Sequence, residues 1–145
     1  MKNLPIVLEQ QFNVPALKVW QALTDKNEMK KWYFDLKEFT PEPGFKFQFL
    51  GGSAEGVQYL HLCKVTEAIP EKKLIYSWRY DGYAGISFVT FELIEEDNKT
   101  TLKLTHSGLE SFPDNNPDFA KSNFAEGWNH IIHKSLKDYL EPSVQ

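Results

Sequence analysis

Residues 116–142 carry the feature that most limits the fold: one long amphipathic stretch, with Asn116-Pro117 at its start and Pro142 just past its end. Proline suits the first helical position, where no N–H is required, and the asparagine before it suits the cap. The span is about 24 residues, or roughly 36 Å at 1.5 Å per residue. At about 100° per residue, Phe124, Trp128, Ile131, Ile132, Leu136 and Tyr139 fall on one stripe, with Glu126, His130, Lys134 and Lys137 opposite. A helix this long and apolar on one side only must lie against another layer.

The preceding sequence supplies that layer. Ile6, Leu8 and Phe12 share one face of an opening strand. Pro15 then pre-sets a helical turn, and Ala16, Val19, Trp20 and Leu23 recur at helical spacing. Asp25 with Glu28 three residues on reads as a capping box for a second short helix carrying Met29 and Trp32. Beyond Pro41, Pro43 and Gly44 the pattern changes to alternation, first in Phe45-Lys46-Phe47-Gln48-Phe49. After the glycine-rich connection 51–56, Val57, Tyr59, His61, Cys63 and Val65 share a face; Leu74, Tyr76, Trp78 and Tyr80 share the next. Asp81-Gly82 and Glu96-Asp97-Asn98-Lys99 are turn signals around Val89, Phe91 and Leu93, and Leu102, Leu104 and His106 mark the last strand.

The order is therefore strand, two short helices, about six antiparallel strands and one long helix, with no repeat or linker. That is an α+β architecture in which a curved antiparallel sheet wraps the C-terminal helix, expected as one domain over 1–145. The 11 Phe, 6 Tyr and 4 Trp suit a thick core or the wall of a cavity. A net charge of −4 without a basic block argues against nucleic-acid binding. The lone Cys63 rules out an intrachain disulfide, and no apolar run reads as a signal peptide or a membrane span, so a cytoplasmic location is the expectation.

Four stretches carry a resemblance. They are Val14-Pro15-Ala16 with 19–25 and Trp32; Leu74 to Arg79; Leu104-Thr105-His106-Ser107-Gly108; and Gly127-Trp128 with Leu136 and Tyr139-Leu140. In order and spacing the chain resembles the AHSA-type branch of the START/Bet v 1-like (SRPBCC) superfamily, named after the C-terminal domain of the heat-shock-protein-90 ATPase activator. The resemblance covers about Ile6 to Leu140. It implies a helix-grip fold with an apolar cavity between sheet and helix, in a superfamily whose members carry lipids, sterols, hormones or polyketides and include some cyclases. The eukaryotic activator has a separate N-terminal domain that supplies much of its chaperone binding, and no counterpart of it is expected within these 145 residues.

Catalytic chemistry is sparse. His130 and His133 with Glu126 have a metal-like spacing but lie off the core stripe, where a solvated face is the better reading. Cys63 has no base beside it, and Ser77, Ser87 and Ser107 lack a nucleophile elbow. Alternation turns His61 and His106 inward, where each is either a ligand-orienting or acid–base group or a satisfied core histidine. Gly127 inside a helix costs about 1 kcal/mol against alanine, so close approach to the sheet or room for a ligand is expected there. The candidate lining is Trp32, Phe47, Tyr59, His61, Tyr76, Trp78, Phe91, His106, Trp128 and Ile131. No metal or cofactor motif accompanies it. Three functions follow: binding of a small apolar or aromatic molecule, a cyclase or isomerase using His61 or His106, and a chaperone-accessory contact.

Overall fold

The computed structural model describes residues 4–33, 36–52, 58–113, 116 and 119–141. Strand β1 (Ile6–Phe12) is followed by α1 (Ala16–Thr24) and α2 (Lys26–Trp32). Five strands follow: β2 (Lys46–Gly52), β3 (Gln58–Ile69), β4 (Lys73–Tyr80), β5 (Ser87–Glu96) and β6 (Lys99–Ser107). They form an antiparallel meander, and β1 pairs with β6 to complete a six-stranded sheet of order β1-β6-β5-β4-β3-β2. A bulge between Val65 and Glu67 breaks the register of β3 on β4. Such an extra residue bends the strand and increases its twist, which helps curve the sheet around its cover.

Alternation sorts the two faces. Leu74, Tyr76, Trp78 and Tyr80 of β4 are buried, as are Val89, Phe91 and Leu93 of β5 and Leu102, Leu104 and His106 of β6. On the other face Lys73, Glu92, Lys103 and Glu9 stand side by side in register across β4, β5, β6 and β1. Opposite charges on adjacent strands attract, so this row favours the observed pairing and stays in water. The β5–β6 turn places Asp97 and Asn98 at φ 55° and 63°, the left-handed pair required by a two-residue hairpin.

The cover is a twenty-residue helix in three stretches: α3 (Lys121–His130), a π-helical segment Ile131–Leu136, and α4 (Lys137–Leu140). It begins at Lys121, not near Asn116, whose carbonyl instead accepts the Phe119 N–H at 3.0 Å. Pro117, Val57, most of the connection 51–56 and Pro142 lie outside the described residues. The late start has a packing cause. Phe119 stacks on Tyr80 at 4.8 Å and meets Tyr59 and Tyr83 at 5.2 and 5.1 Å, while Ala120 stays extended at ψ 142°. The backbone thus turns once at Phe119, extends at Ala120 and enters the helix at Lys121.

The π segment alters the stripe. Its wider turn keeps Trp128, Ile132 and Leu136 buried in line at four-residue intervals, while Ile131 is only half-buried. Lys137, which the 3.6-residue period sets on the polar side, comes round to β1. Its Nζ donates to the Gln11 carbonyl at 3.3 Å and pairs with Glu141 at 2.6 Å. The Asp25 carboxylate caps α2 through the Asn27 N–H at 2.8 Å, but the expected return from Glu28 is replaced by a longer link. Glu28 Oε1 accepts the Tyr139 hydroxyl at 3.0 Å, tying α2 to α4. None of the helices among the described residues is long and apolar enough to cross a membrane.

Candidate functional site

Between the sheet and the C-terminal helix lies a layer of aromatic rings. Trp128, projecting from α3, has its ring centroid 5.7 Å from Trp78 on β4, 6.1 Å from Phe91 on β5 and 6.2 Å from Tyr33 at the end of α2. Phe47 meets Tyr76 edge-on at 5.0 Å, and Tyr76 lies 5.9 Å from Phe91. Phe49 stacks on His61 at 4.5 Å and sits 5.9 Å from Trp78. These separations and mostly tilted geometries are those at which ring quadrupoles attract.

Of the candidate lining, Phe47, His61, Tyr76, Trp78, Phe91, His106 and Trp128 form this group. Tyr59 belongs to a second cluster at the end of the sheet, with Tyr80, Tyr83 and Phe119 at 5.6, 5.5 and 5.2 Å. Trp32 holds α2 on α1 by donating its Nε1–H to the Ala22 carbonyl at 2.9 Å, and its ring stacks on Tyr33 at 4.9 Å. Ile131 is at the border, half-buried. Tyr33, Phe49, Tyr80 and Phe119 join the two clusters although they are not in the candidate lining. Phe49 and Tyr80 lie on alternating strand faces, whereas Tyr33 caps α2, where helical periodicity ends, and only the run Trp32-Tyr33-Phe34 marks it.

The two inward histidines are both neutral. The His106 Nδ1 accepts the indole N–H of Trp128 at 2.9 Å, so the proton is on Nε2. That Nε2–H donates to Ser87 Oγ at 2.8 Å, and the Ser87 hydroxyl donates to the Trp78 carbonyl at 2.9 Å. Complete burial lowers the His106 pKa to about 3. For His61, burial lowers it to about 4 against the opposing backbone hydrogen bonds to Tyr59 and Phe49, the former 3.0 Å from Nδ1. With a proton donor and an acceptor already placed, His106 acts here as a clasp between helix and sheet.

The remaining polar groups are also satisfied. Tyr33 and Tyr76 share a hydroxyl–hydroxyl bond of 2.7 Å, and Trp78 Nε1–H donates to the Tyr80 hydroxyl at 2.8 Å. Burial raises the Tyr33, Tyr76 and Tyr80 phenols and the Cys63 thiol well above their usual ranges, so all four stay protonated and Cys63 is inert. His130 and His133 are exposed, the latter on Gln10 Oε1 at 2.7 Å, and among the described residues no three His, Cys, Asp or Glu side chains converge as for a metal. Gly127 faces solvent: a Cβ added there would meet nothing within 4 Å, so neither close approach to the sheet nor space for a ligand explains it.

A bent antiparallel sheet gripping one C-terminal helix over an aromatic layer defines a helix-grip protein of the START-like class. Residues 13–141 match the family described as Activator of Hsp90 ATPase homolog 1-like protein, and the chain belongs to that family. It is similar to the Hsp90 co-chaperone AHA1 of Saccharomyces cerevisiae, 24% identical over 129 residues, and spans about a third (34%) of that relative's length while the match covers 83% of this chain. A crystal structure from Mesorhizobium loti is 25% identical with a TM-score of 0.74, covering 97% of this chain and 99% of its own. A Chromobacterium violaceum protein shares the fold at a TM-score of 0.80 and 23% identity, covering 99% and 100%.

Proposed function

We propose that this protein binds a small, mostly apolar molecule between the sheet and the C-terminal helix. The observation that carries the proposal is the composition of that interface. Trp128, Trp78, Phe91, Phe49 and Tyr33 bridge helix, sheet and α2 by ring contacts. Sites for small apolar molecules are lined mainly by aromatic and apolar side chains with a few placed polar groups, the composition of this layer. The set Trp32, Phe47, Tyr59, His61, Tyr76, Trp78, Phe91, His106, Trp128 and Ile131, extended by Tyr33 and Phe49, is the proposed lining. Binding is favoured over a cyclase or isomerase because His61 and His106 are depressed by burial and already bonded within the protein. Native mass spectrometry of protein purified from its own host tests this. A retained small-molecule adduct is expected; uniformly unliganded protein, with no uptake from a host lipid extract, contradicts it.

A second reading, a chaperone-accessory contact, is supported by the family and by the similarity to the yeast Hsp90 co-chaperone. Leu50, 65% exposed on edge strand β2, gives such a partner an apolar foothold. Stimulation of a chaperone ATPase by this chain, lost in Leu50→Lys, distinguishes it.

A further inference from the structure

We infer that the Tyr33–Tyr76 hydroxyl pair is the polar end of the site, and that the site selects a flat molecule carrying one neutral hydrogen-bonding oxygen over its carboxylate counterpart. This rests on the binding reading above and names its ligand class.

The pair comes from two separate elements. Tyr33 reaches in from the C-terminal end of α2, and Tyr76 from the middle of β4; their oxygens meet at 2.7 Å. The rings around them are apolar: Trp32 at 4.9 Å, Trp128 at 6.2 Å and Phe49 at 6.2 Å from Tyr33, and Phe47 at 5.0 Å and Phe91 at 5.9 Å from Tyr76. A guest lying among these rings meets a polar atom at the two phenols. A phenol oxygen both donates and accepts, so a guest hydroxyl or carbonyl can join the pair as a third member.

The exclusion of charge follows from what the interior lacks. Among the described residues the buried polar side chains outside the aromatic set are His61, Ser77, Ser87, Thr100 and His106. None is a carboxylate, ammonium or guanidinium. The two imidazoles are neutral and engaged with protein groups, and the phenols stay protonated. A carboxylate on the guest would lose its hydration among ring faces of negative potential and, among the described residues, find no buried counter-charge. A neutral oxygen loses far less and regains a hydrogen bond on the pair.

Equilibrium dialysis of the full chain against naphthalene, 2-naphthol and 2-naphthoate at about pH 7 separates these effects on one ring skeleton. The expected order is 2-naphthol tightest, about tenfold over naphthalene, with 2-naphthoate weakest. In the double variant Tyr33→Phe/Tyr76→Phe, which removes both hydroxyls, the advantage of 2-naphthol over naphthalene falls to within about twofold while naphthalene binding is kept. Should that variant not fold, 2-methylnaphthalene, matched to 2-naphthol in shape but without its hydroxyl, is compared on the unaltered chain and is expected to bind within about twofold of naphthalene. Binding of 2-naphthoate or 2-methylnaphthalene as tight as 2-naphthol overturns the inference, as does an undiminished 2-naphthol advantage in the folded double variant. Failure of all three probes, naphthalene included, counts against the binding reading itself and takes this inference with it.

Discussion

The indole of Trp128 donates its N–H to His106 Nδ1 at 2.9 Å, joining the C-terminal helix to the last strand of the sheet by one buried hydrogen bond. The bond fixes the histidine tautomer and, through Ser87, reaches the Trp78 carbonyl. Replacing His106 by leucine leaves the indole N–H buried without a partner, a loss of about 1–3 kcal/mol in addition to the altered packing. A double-mutant cycle of Trp128→Phe with His106→Leu, read by urea unfolding, is expected to show a coupling of about 0.5–1.5 kcal/mol. Additive single effects would mean that the contact contributes nothing to stability.

Acid should weaken the fold in a defined window. The folded-state pKa of His106 is about 3 and that of His61 about 4, against 6.5 for an unperturbed imidazole, both lowered by burial. The unfolded chain therefore binds more protons than the folded one below pH 6.5. This stabilisation is complete above pH 6.5 and declines as pH falls toward 4 and 3. Each histidine contributes a slope approaching about 1.4 kcal/mol per pH unit. Before most carboxylates titrate, uptake on thermal unfolding should rise from about one proton at pH 6.5 to nearly two at about pH 5, and in His61→Gln from about half a proton to nearly one. Uptake unchanged by that substitution would contradict the assignment.

Two glycines should respond in opposite directions. At Gly127 the added methyl meets open space within an α-helix, so Gly127→Ala is expected to stabilise by up to about 1 kcal/mol. Gly85 sits at φ +106°, and a Cβ there would lie 2.5 Å from the Ser111 carbonyl oxygen. Gly85→Ala should destabilise by about 1–3 kcal/mol. Midpoints of urea denaturation test both.

The first helix is capped from a distance. Pro15 offers no side-chain cap to α1, and Glu95 on β5 reaches over to accept the Ala16 N–H at 2.7 Å. Its charge also lies at the positive end of the short helix. Glu95→Ala should cost about 1 kcal/mol, with Glu95→Gln recovering part because its amide oxygen can still accept. Equal losses in both would assign the effect to charge alone.

These relationships differ in how far the sequence announces them. Alternation identifies Tyr76, Trp78, Phe91 and His106 as inward residues, because a strand face follows from a period of two. The helical period likewise finds Trp128, Ile132 and Leu136. Neither period names a partner: that Trp128 meets His106 depends on where the helix crosses the sheet. The π segment, by widening the turn, moves Lys137 to β1 and leaves no mark in a 3.6-residue pattern. Tyr33 lies just past a helix end, and Phe119 delays the start of α3 through contacts with rings 36 to 60 residues away along the chain. Long-range packing decides such positions, so local spacing does not reveal them.

The central claim is that a guest occupies the aromatic layer between sheet and helix. Its most direct test is the set of four tryptophan indole N–H resonances during a titration with 2-naphthol. Trp78 and Trp128, whose tilted rings meet in that layer with centroids 5.7 Å apart, should shift together and saturate, while Trp20 on α1 stays in place. Shifts confined to residues of the sheet's outer face, such as Leu50 and Phe88, with the Trp78 and Trp128 indoles unmoved, would contradict the account.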